Sequence, residues 1–273
     1  MLEKPYKAAQ CNICGSDRYR RVHYFKEWNS GRERVHDVSI IRCSQCGVRR
    51  RMPEIVDDYE AAYHEVYVEQ GQAMHPHQLS HFADLMTARW SLLAEKQGKF
   101  LDVGCSTGRV LRLAATLGFE PTGLDLSHWA CDYCAKQGFA TRQGSLIGQW
   151  PEGEVFDVIH SCHTIEHVPD PIAYLGEMNR LLKHGGHLML ACPNYASFAR
   201  LVEHERWIWH LDSHLWQFTK RQMRRMLIRT GFKIFSVRTL HGFTPRNRLK
   251  KWALDGTAVW GYGDGLNLIA TRP

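Results

Sequence analysis

The stretch Phe100-Leu-Asp-Val-Gly-Cys-Ser-Thr-Gly-Arg-Val-Leu111 constrains this chain more than any other. A short apolar run with Asp102 inside it stops at Gly104 and gives way to a Gly-Cys-Ser-Thr-Gly turn. Val110, Leu113, Ala114 and Leu117 then recur at i, i+3, i+4 and i+7, the period of a helix with one apolar face. The pattern predicts a strand, a glycine turn and a helix N-terminus. Glycine is needed in such a turn where a ligand approaches the backbone more closely than a Cβ permits. Similar turns also serve ordinary packing, so the residues that follow at fixed distances decide between the two.

The helical pattern closes at Gly118, and residues 119–126 read as a second strand ending on Asp125, with Ser127 placed to cap the next helix. Asp125 lies 21 positions after Gly104. A carboxylate about 20 residues past the glycine turn is placed to accept hydrogen bonds from a ribose diol. Cys131 and Cys134, one helical turn apart, read as core residues. Residues 139–143 are a short third strand leading to Gly144-Ser145-Leu146, and 154–160 a fourth, followed by a loop over 161–171. Asp170-Pro171 opens a helix that turns Ile172, Leu175, Met178 and Leu182 inward. Lys183 and His184 are placed to complement its dipole, and Gly185-Gly186 to stop it. Residues 187–191 are a fifth strand, and 232–238 with 266–271 complete the sheet. Strands alternating with helices predict an α/β, open, doubly wound, mostly parallel sheet. Ligands of such sheets bind outside the carboxyl ends of the strands, where the glycine turn, Asp125, Ser145 and the 162–167 loop all fall.

Ahead of this region, Cys11-Asn-Ile-Cys14-Gly and Cys43-Ser-Gln-Cys46-Gly form two knuckles. Each can present two thiolates to one metal ion, and the glycine after each pair permits the positive φ such a turn often uses. Four thiolates match a closed tetrahedral zinc site, which is structural and leaves no position open for chemistry. The 28 intervening residues exceed the usual ribbon spacing and hold strand-like pieces over 19–25 and 35–42 that could form a hairpin. Four unrelated cysteines, or a zinc ribbon gripping nucleic acid, are the competing readings. Nine cysteines in all, four of them in metal-type pairs, suit a reducing compartment better than a disulfide framework. With no apolar h-region at the N-terminus and no apolar run near the 20 residues a bilayer span requires, a cytoplasmic location is expected. Tyr59, Tyr63 and Tyr67 share one face of a predicted helix, as packing or as a ligand box, and a second helix is expected over 78–96. The expected division is a zinc module over 1–52, a helical linker over 53–98 and a catalytic domain over 99–273. Residues 200–251 hold 13 Lys/Arg against 3 Asp/Glu, which suggests an anionic partner or only a solvated basic face.

Taken together, Leu-Asp102-Val-Gly104-Cys-Ser-Thr-Gly108, Gly123-Leu-Asp125, Phe156-Asp-Val-Ile with Glu166-His167-Val-Pro-Asp-Pro, and Leu181-Leu-Lys-His-Gly-Gly-His-Leu resemble the ordered motifs of class I S-adenosylmethionine-dependent methyltransferases. The resemblance covers roughly residues 80–273 and is strongest to the small-molecule branch. It implies a seven-stranded Rossmann-like sheet with S-adenosylmethionine held by Asp102, Gly104, Cys105, Ser106, Gly108, Asp125, Leu126, Ser145, Leu146, Cys162 and His163. Two positions depart from the family pattern. Ser106 replaces the middle glycine, a change the fold accepts if that residue keeps a negative φ. Ser145 stands where many members carry an Asp near the adenine amine. The knuckles and Asp212-Ser-His214-Leu-Trp-Gln-Phe218 are similar to a narrower group, bacterial enzymes that methylate sugars, cell-surface polysaccharide precursors and related metabolites.

The expected acceptor position is a hydroxyl, with a sugar carbon as the alternative; the protein must align nucleophile and methyl and, for a hydroxyl, supply a base. His163, His167 and His214 lie near the carboxyl ends of the strands, whereas His160 sits inside a strand and is set aside. The resemblance points to His214 as base, with His167 as the second catalytic candidate; a hydrogen-bonded structural role is the alternative for each. The aromatic segment 207–216, within a lid expected over about 195–218, would cover a small-molecule, nucleotide-linked or lipid-linked acceptor, and its aromatics beside a basic helix also fit a membrane surface. Thr219 and Gln222 form a capping box for that helix, with Met223, Met226 and Leu227 as its core face. The alternatives are an RNA methyltransferase and a cofactor-binding protein without transfer. RNA is disfavoured by the lack of an Asn-Pro-Pro-aromatic motif. Oligomeric state is open.

Overall fold

The computed structural model describes residues 10–28, 34–52, 98–153, 155–203, 214–240, 256 and 260–273. The helices expected over 59–67 and 78–96, and the 207–213 part of the aromatic segment, lie outside these residues.

The N-terminal residues form a small antiparallel sheet of β1 (Tyr19–Trp28), β2 (Arg34–Cys43) and β3 (Arg49–Met52). The first two are the expected hairpin, longer at both ends than the sequence pattern indicates. A fourth strand, β9 (Trp216–Gln217), joins from the far end of the chain by pairing with β3. The two Cys knuckles lie together at the end of this sheet where Tyr19 pairs with Cys43, and Gly15 and Gly47 close them with φ of +74° and +76°.

The larger sheet holds β4 (Lys99–Val103), β5 (Glu120–Asp125), β6 (Ala140–Gln143), β7 (Phe156–Cys162), β8 (Leu182–Pro193), β10 (Lys233–Leu240) and β11 (Gly265–Thr271). Its order is β10-β11-β8-β7-β4-β5-β6. The run from β8 to β6 is parallel, and β11 is antiparallel to both β8 and β10. Helices α1 (Arg109–Thr116), α2 (His128–Ala135) and α3 (Pro171–Leu181) are the crossovers expected from parallel pairing, and α4 (Phe198–Glu203) and α5 (Lys220–Arg229) follow β8. This is the seven-stranded class I methyltransferase fold, with strand order reversing beside β4. The reversal opens a crevice above the glycine turn.

Local signals explain the crossovers. Ser127 Oγ accepts the Ala130 N–H at 3.2 Å, and Asp170 Oδ1 accepts the N–H groups of Ile172 and Ala173 at 3.0 Å each. Gln222 Oε1 reaches back to the Thr219 N–H at 2.9 Å, completing half of the capping box of α5. Its Met223, Met226 and Leu227 are buried, and Arg221, Arg224 and Arg225 face solvent. One expectation fails. Lys183, His184 and the two glycines lie in β8, past the end of α3, and do not serve its dipole. Lys183 pairs with Asp157 at 2.8 Å, and Gly185 and Gly186 exchange backbone hydrogen bonds with Arg272. A helix that ends directly in a strand leaves no turn for those residues to cap.

A single apolar cluster runs from the knuckles into the main core, including Ile13, Ile41 and Val48 with Ile159, Leu190 and Trp216. The Arg51 N–H donates to Leu215 C=O at 2.9 Å, Asn12 Nδ2 to Pro169 C=O at 3.3 Å, and Arg229 Nη1 to Ile13 C=O. The two sheets therefore share one core. Among the described residues no helix is long and apolar enough to cross a membrane.

Candidate active site

The glycine turn lies at the carboxyl end of β4. Gly104 has φ of +80°, and a Cβ there would meet Thr164 Oγ1 at 2.5 Å. That hydroxyl donates to Val103 C=O at 3.2 Å and ties the loop after β7 to the turn. Internal packing by itself therefore requires the glycine. Ser106 departs from expectation: its φ is +48°, in the left-handed region, at a cost of about 1–2 kcal/mol for a residue with a Cβ. The conformation aims its N–H at Asp125 Oδ2, 2.9 Å away. Asp125 Oδ1 accepts the Ser127 N–H at 3.0 Å, so the carboxylate at the end of β5 is fixed by two backbone donors. Around it, Cys105 and Leu146 are buried, Leu126 and Ser145 are exposed, and Ser145 Oγ donates to Ile147 C=O at 3.2 Å. Gly108 caps α1. Cys131 and Cys134 are buried behind the turn, as their helical spacing implies.

Asp102 and His160 form a buried pair. They stand opposite each other in β4 and β7, with Asp102 Oδ1 2.7 Å from His160 Nδ1. Burial pushes the Asp102 carboxyl above its ordinary range, against the pull of His160. A place inside a strand takes His160 out of the candidates for base but leaves it a structural role. Its signal was there: a histidine in a fully buried central strand needs a partner, and the neighbouring strand carries one carboxylate.

Glu166 is the centre of the second cluster. Its Oε1 lies 3.1 Å from His163 Nδ1 and 3.8 Å from His214 Nε2, while Oε2 is buried without a hydrogen-bond partner among the described residues. Glu166 is 1% exposed and His214 4%. The His167 and His214 rings meet edge to face at 4.8 Å. Burial alone would raise the Glu166 carboxyl, but the hydrogen bond from His163 and the nearby His163, His167 and His214 charges outweigh it and hold it at about 2. His163 itself takes φ of +53°. The Trp216 N–H donates to Glu166 C=O at 3.0 Å, which sets His214 against the loop. Glu166, His167 and His214 each offer a ligand atom, all within 4.8 Å, so this cluster could also hold a divalent cation. Burial raises the thiols of Cys162 and Cys192 well above the ordinary range.

In the knuckles the four sulfurs of Cys11, Cys14, Cys43 and Cys46 lie within 4.8 Å of one another. The Cys11–Cys46 and Cys14–Cys43 separations are 3.8 and 3.5 Å. A tetrahedron with metal–sulfur bonds near 2.3 Å requires about 3.8 Å between sulfurs, so the geometry fits a tetrathiolate metal site.

An open sheet of this order, with an acidic residue ending its second strand beside a glycine turn, is the arrangement of the class I methyltransferase fold. The family model described as "Methyltransferase domain" matches residues 75–237, and the chain belongs to that family. It is 32% identical over 130 residues to a ubiquinone biosynthesis O-methyltransferase of Parvibaculum lavamentivorans, covering 44% of this chain and 51% of that protein. The chain thus spans about half the length of that curated relative. An S-adenosylmethionine-dependent methyltransferase of Thermotoga maritima superposes with a TM-score of 0.57 at 21% identity, covering 78% of this chain and 99% of the other. One from Archaeoglobus fulgidus gives 0.57 at 17%, covering 79% and 100%.

Asp125→Ala should weaken S-adenosylmethionine binding by about 10- to 100-fold, the value of a charge-assisted hydrogen bond of about 1.5–3 kcal/mol. Calorimetric titration measures it, and an unchanged affinity removes Asp125 from the ribose.

Proposed function

We propose that the protein methylates a hydroxyl oxygen of a small nucleotide-linked or lipid-linked acceptor, such as a cell-surface saccharide precursor, with His214 as base. The observation that carries this reading is the buried Glu166 carboxylate facing three imidazoles at the carboxyl end of β7. S-adenosylmethionine supplies an electrophilic methyl carbon and a neutral sulfur leaving group. The chain's task is to hold the acceptor oxygen in line, take its proton and keep water out. His214 would accept that proton as the oxygen–carbon bond forms, and the ionised Glu166 would stabilise the resulting imidazolium. Asp125 would hold the ribose diol and the glycine turn the methionine end, while Asp102 with His160 supports the turn from beneath. The Cys11, Cys14, Cys43 and Cys46 site would hold one structural zinc ion. O-methylation agrees with the name of the Parvibaculum relative. The raised thiols of Cys162 and Cys192 argue against a cysteine nucleophile of the type used on base carbons.

The test is transfer from methyl-labelled S-adenosylmethionine into cell extract fractionated into nucleotide sugars, lipids and RNA. Label in the first or second fraction is expected. Label confined to RNA, or cofactor binding with no transfer to any fraction, would overturn the reading.

A further inference from the structure

A row of three arginines crosses the smaller sheet. Arg20 stands opposite Arg42, Arg42 opposite Arg49, and Arg49 opposite Gln217. Residues so paired share a face with Cβ atoms about 5 Å apart, and like charges directly opposite repel. Past the sheet, the Arg49 guanidinium lies 4.4 Å from the centre of the Tyr195 ring, and the Arg200 guanidinium, from α4, lies 4.5 Å from the same centre. Tyr195 is buried just beyond β8, its N–H donating to Phe218 C=O at 2.8 Å.

Among the described residues none of Arg20, Arg42, Arg49 and Arg200 is paired with a carboxylate. Arg42 Nε and Arg200 Nε are buried without a hydrogen-bond partner among the described residues. Burial lowers the Arg49 guanidinium from its ordinary range; Tyr195 opposes this, and the positive charges of Arg42, Arg200 and Arg20 add to it. Surface arginines commonly spread apart or pair with acids. Here four converge, two with buried N–H groups that none of the described residues satisfies. Such an arrangement costs stability in isolation and suits an anion, because guanidinium forks match phosphate oxygens.

The location bears on which anion. Tyr195 and α4 follow the carboxyl end of β8, and Gln217, the last member of the row, lies on β9 just after His214. We propose that Arg49 and Arg200, which meet over Tyr195, together with Arg42 opposite Arg49 bind a phosphate or diphosphate carried by the methyl acceptor. Only the word acceptor rests on the methyl-transfer reading; anion binding stands or falls by itself.

The test uses the full, metal-loaded chain, with calorimetry and thermal unfolding in inorganic pyrophosphate and in uridine diphosphate at low salt. Both ligands are expected to bind and to raise Tm. Arg49→Gln and Arg200→Gln, on different elements, should each weaken that binding by about tenfold or more, the loss of one charge-assisted contact. Both should leave metal content and S-adenosylmethionine affinity unchanged, and Arg49→Gln should raise the Tm of the ligand-free protein by relieving repulsion. Phosphatidylglycerol vesicles form a second arm: vesicle binding lost in the same variants assigns the phosphate to a lipid headgroup, and binding of the free diphosphates alone assigns it to a soluble acceptor. The proposal is overturned if neither diphosphate binds, if both variants bind them as the parent does, or if both variants lose Tm without ligand, which would make the arginines structural. Tighter binding of single-stranded RNA than of uridine diphosphate, lost in the same variants, would overturn it in favour of nucleic acid. Labelled-cofactor transfer is measured separately, so failure of the methyl-transfer reading stays distinct.

Discussion

Glu166→Gln is expected to lower methyl transfer by about 100-fold or more while leaving S-adenosylmethionine affinity nearly unchanged. The argument is electrostatic. In the proposed mechanism, proton acceptance by His214 creates a cation in a buried setting, and Glu166 Oε1, 3.8 Å from its Nε2, is the carboxylate that faces it. An amide keeps the shape and removes the charge. Glu166 acts here through His214, so it is a positioning residue, and activity alone does not establish its part. A second readout does. The carboxyl is held at about 2 against an ordinary 4.5, so the folded state gains stability from its ionised form above pH 4.5 and loses that gain as pH falls toward 2. The gain is of the order of 3 kcal/mol. Denaturant unfolding at neutral pH and near pH 3 should show a steep acid loss in the parent and a shallower one in Glu166→Gln. His214→Asn should match its loss of turnover and keep cofactor affinity. Full activity in either variant would remove this pair from the chemistry.

Cys43→Ser is expected to release the metal and unfold the knuckle sheet. Binding at a tetrathiolate zinc site contributes about 10–16 kcal/mol of apparent free energy in small metal-folded peptides, more than a sheet of this size supplies by burial. Elemental analysis should find about one zinc per chain in the parent and none in the variant, and limited proteolysis should cut residues 10–52. Activity should fall too, because β3 carries β9 and β9 follows His214. Retained zinc and an uncut N-terminal region would refute the knuckle reading.

Much of the main sheet was legible because its signals are local. Ser127 and Asp170 cap where their positions indicate, and the glycine turn ends a strand as its apolar run requires. The Lys183–Gly186 stretch was misread because helix-stop signals and a strand start overlap there, and pairing with Arg272, far along the chain, decides the outcome. The same limit governs the site. Asp125 is visible from spacing alone, since one βαβ unit fixes its distance from the turn. In the sequence Glu166 stands out only as part of a motif, although its position three residues after His163 in a turn is the pattern that lets the two side chains meet. Its approach to His214 depends on β9 joining β3, which no local pattern announces. The Arg20–Arg42–Arg49 row is likewise a product of register: the residues are scattered in sequence and adjacent only once three strands align.

The two-residue strand β9 also has a bearing on the order of assembly. Pairing Arg49 with Gln217 and Arg50 with Trp216 closes a very long loop of chain, one of the most sequence-distant contacts in the fold. Contacts of that kind form late, because closure entropy is spent before they return anything. The glycine turn and Asp125 need only β4, β5 and their connection, which are close neighbours in sequence. A chain emerging from the ribosome would therefore set Asp125 beside the glycine turn well before it sets His214 against Glu166, and in the proposed mechanism the seating of β9 is the step that completes the site.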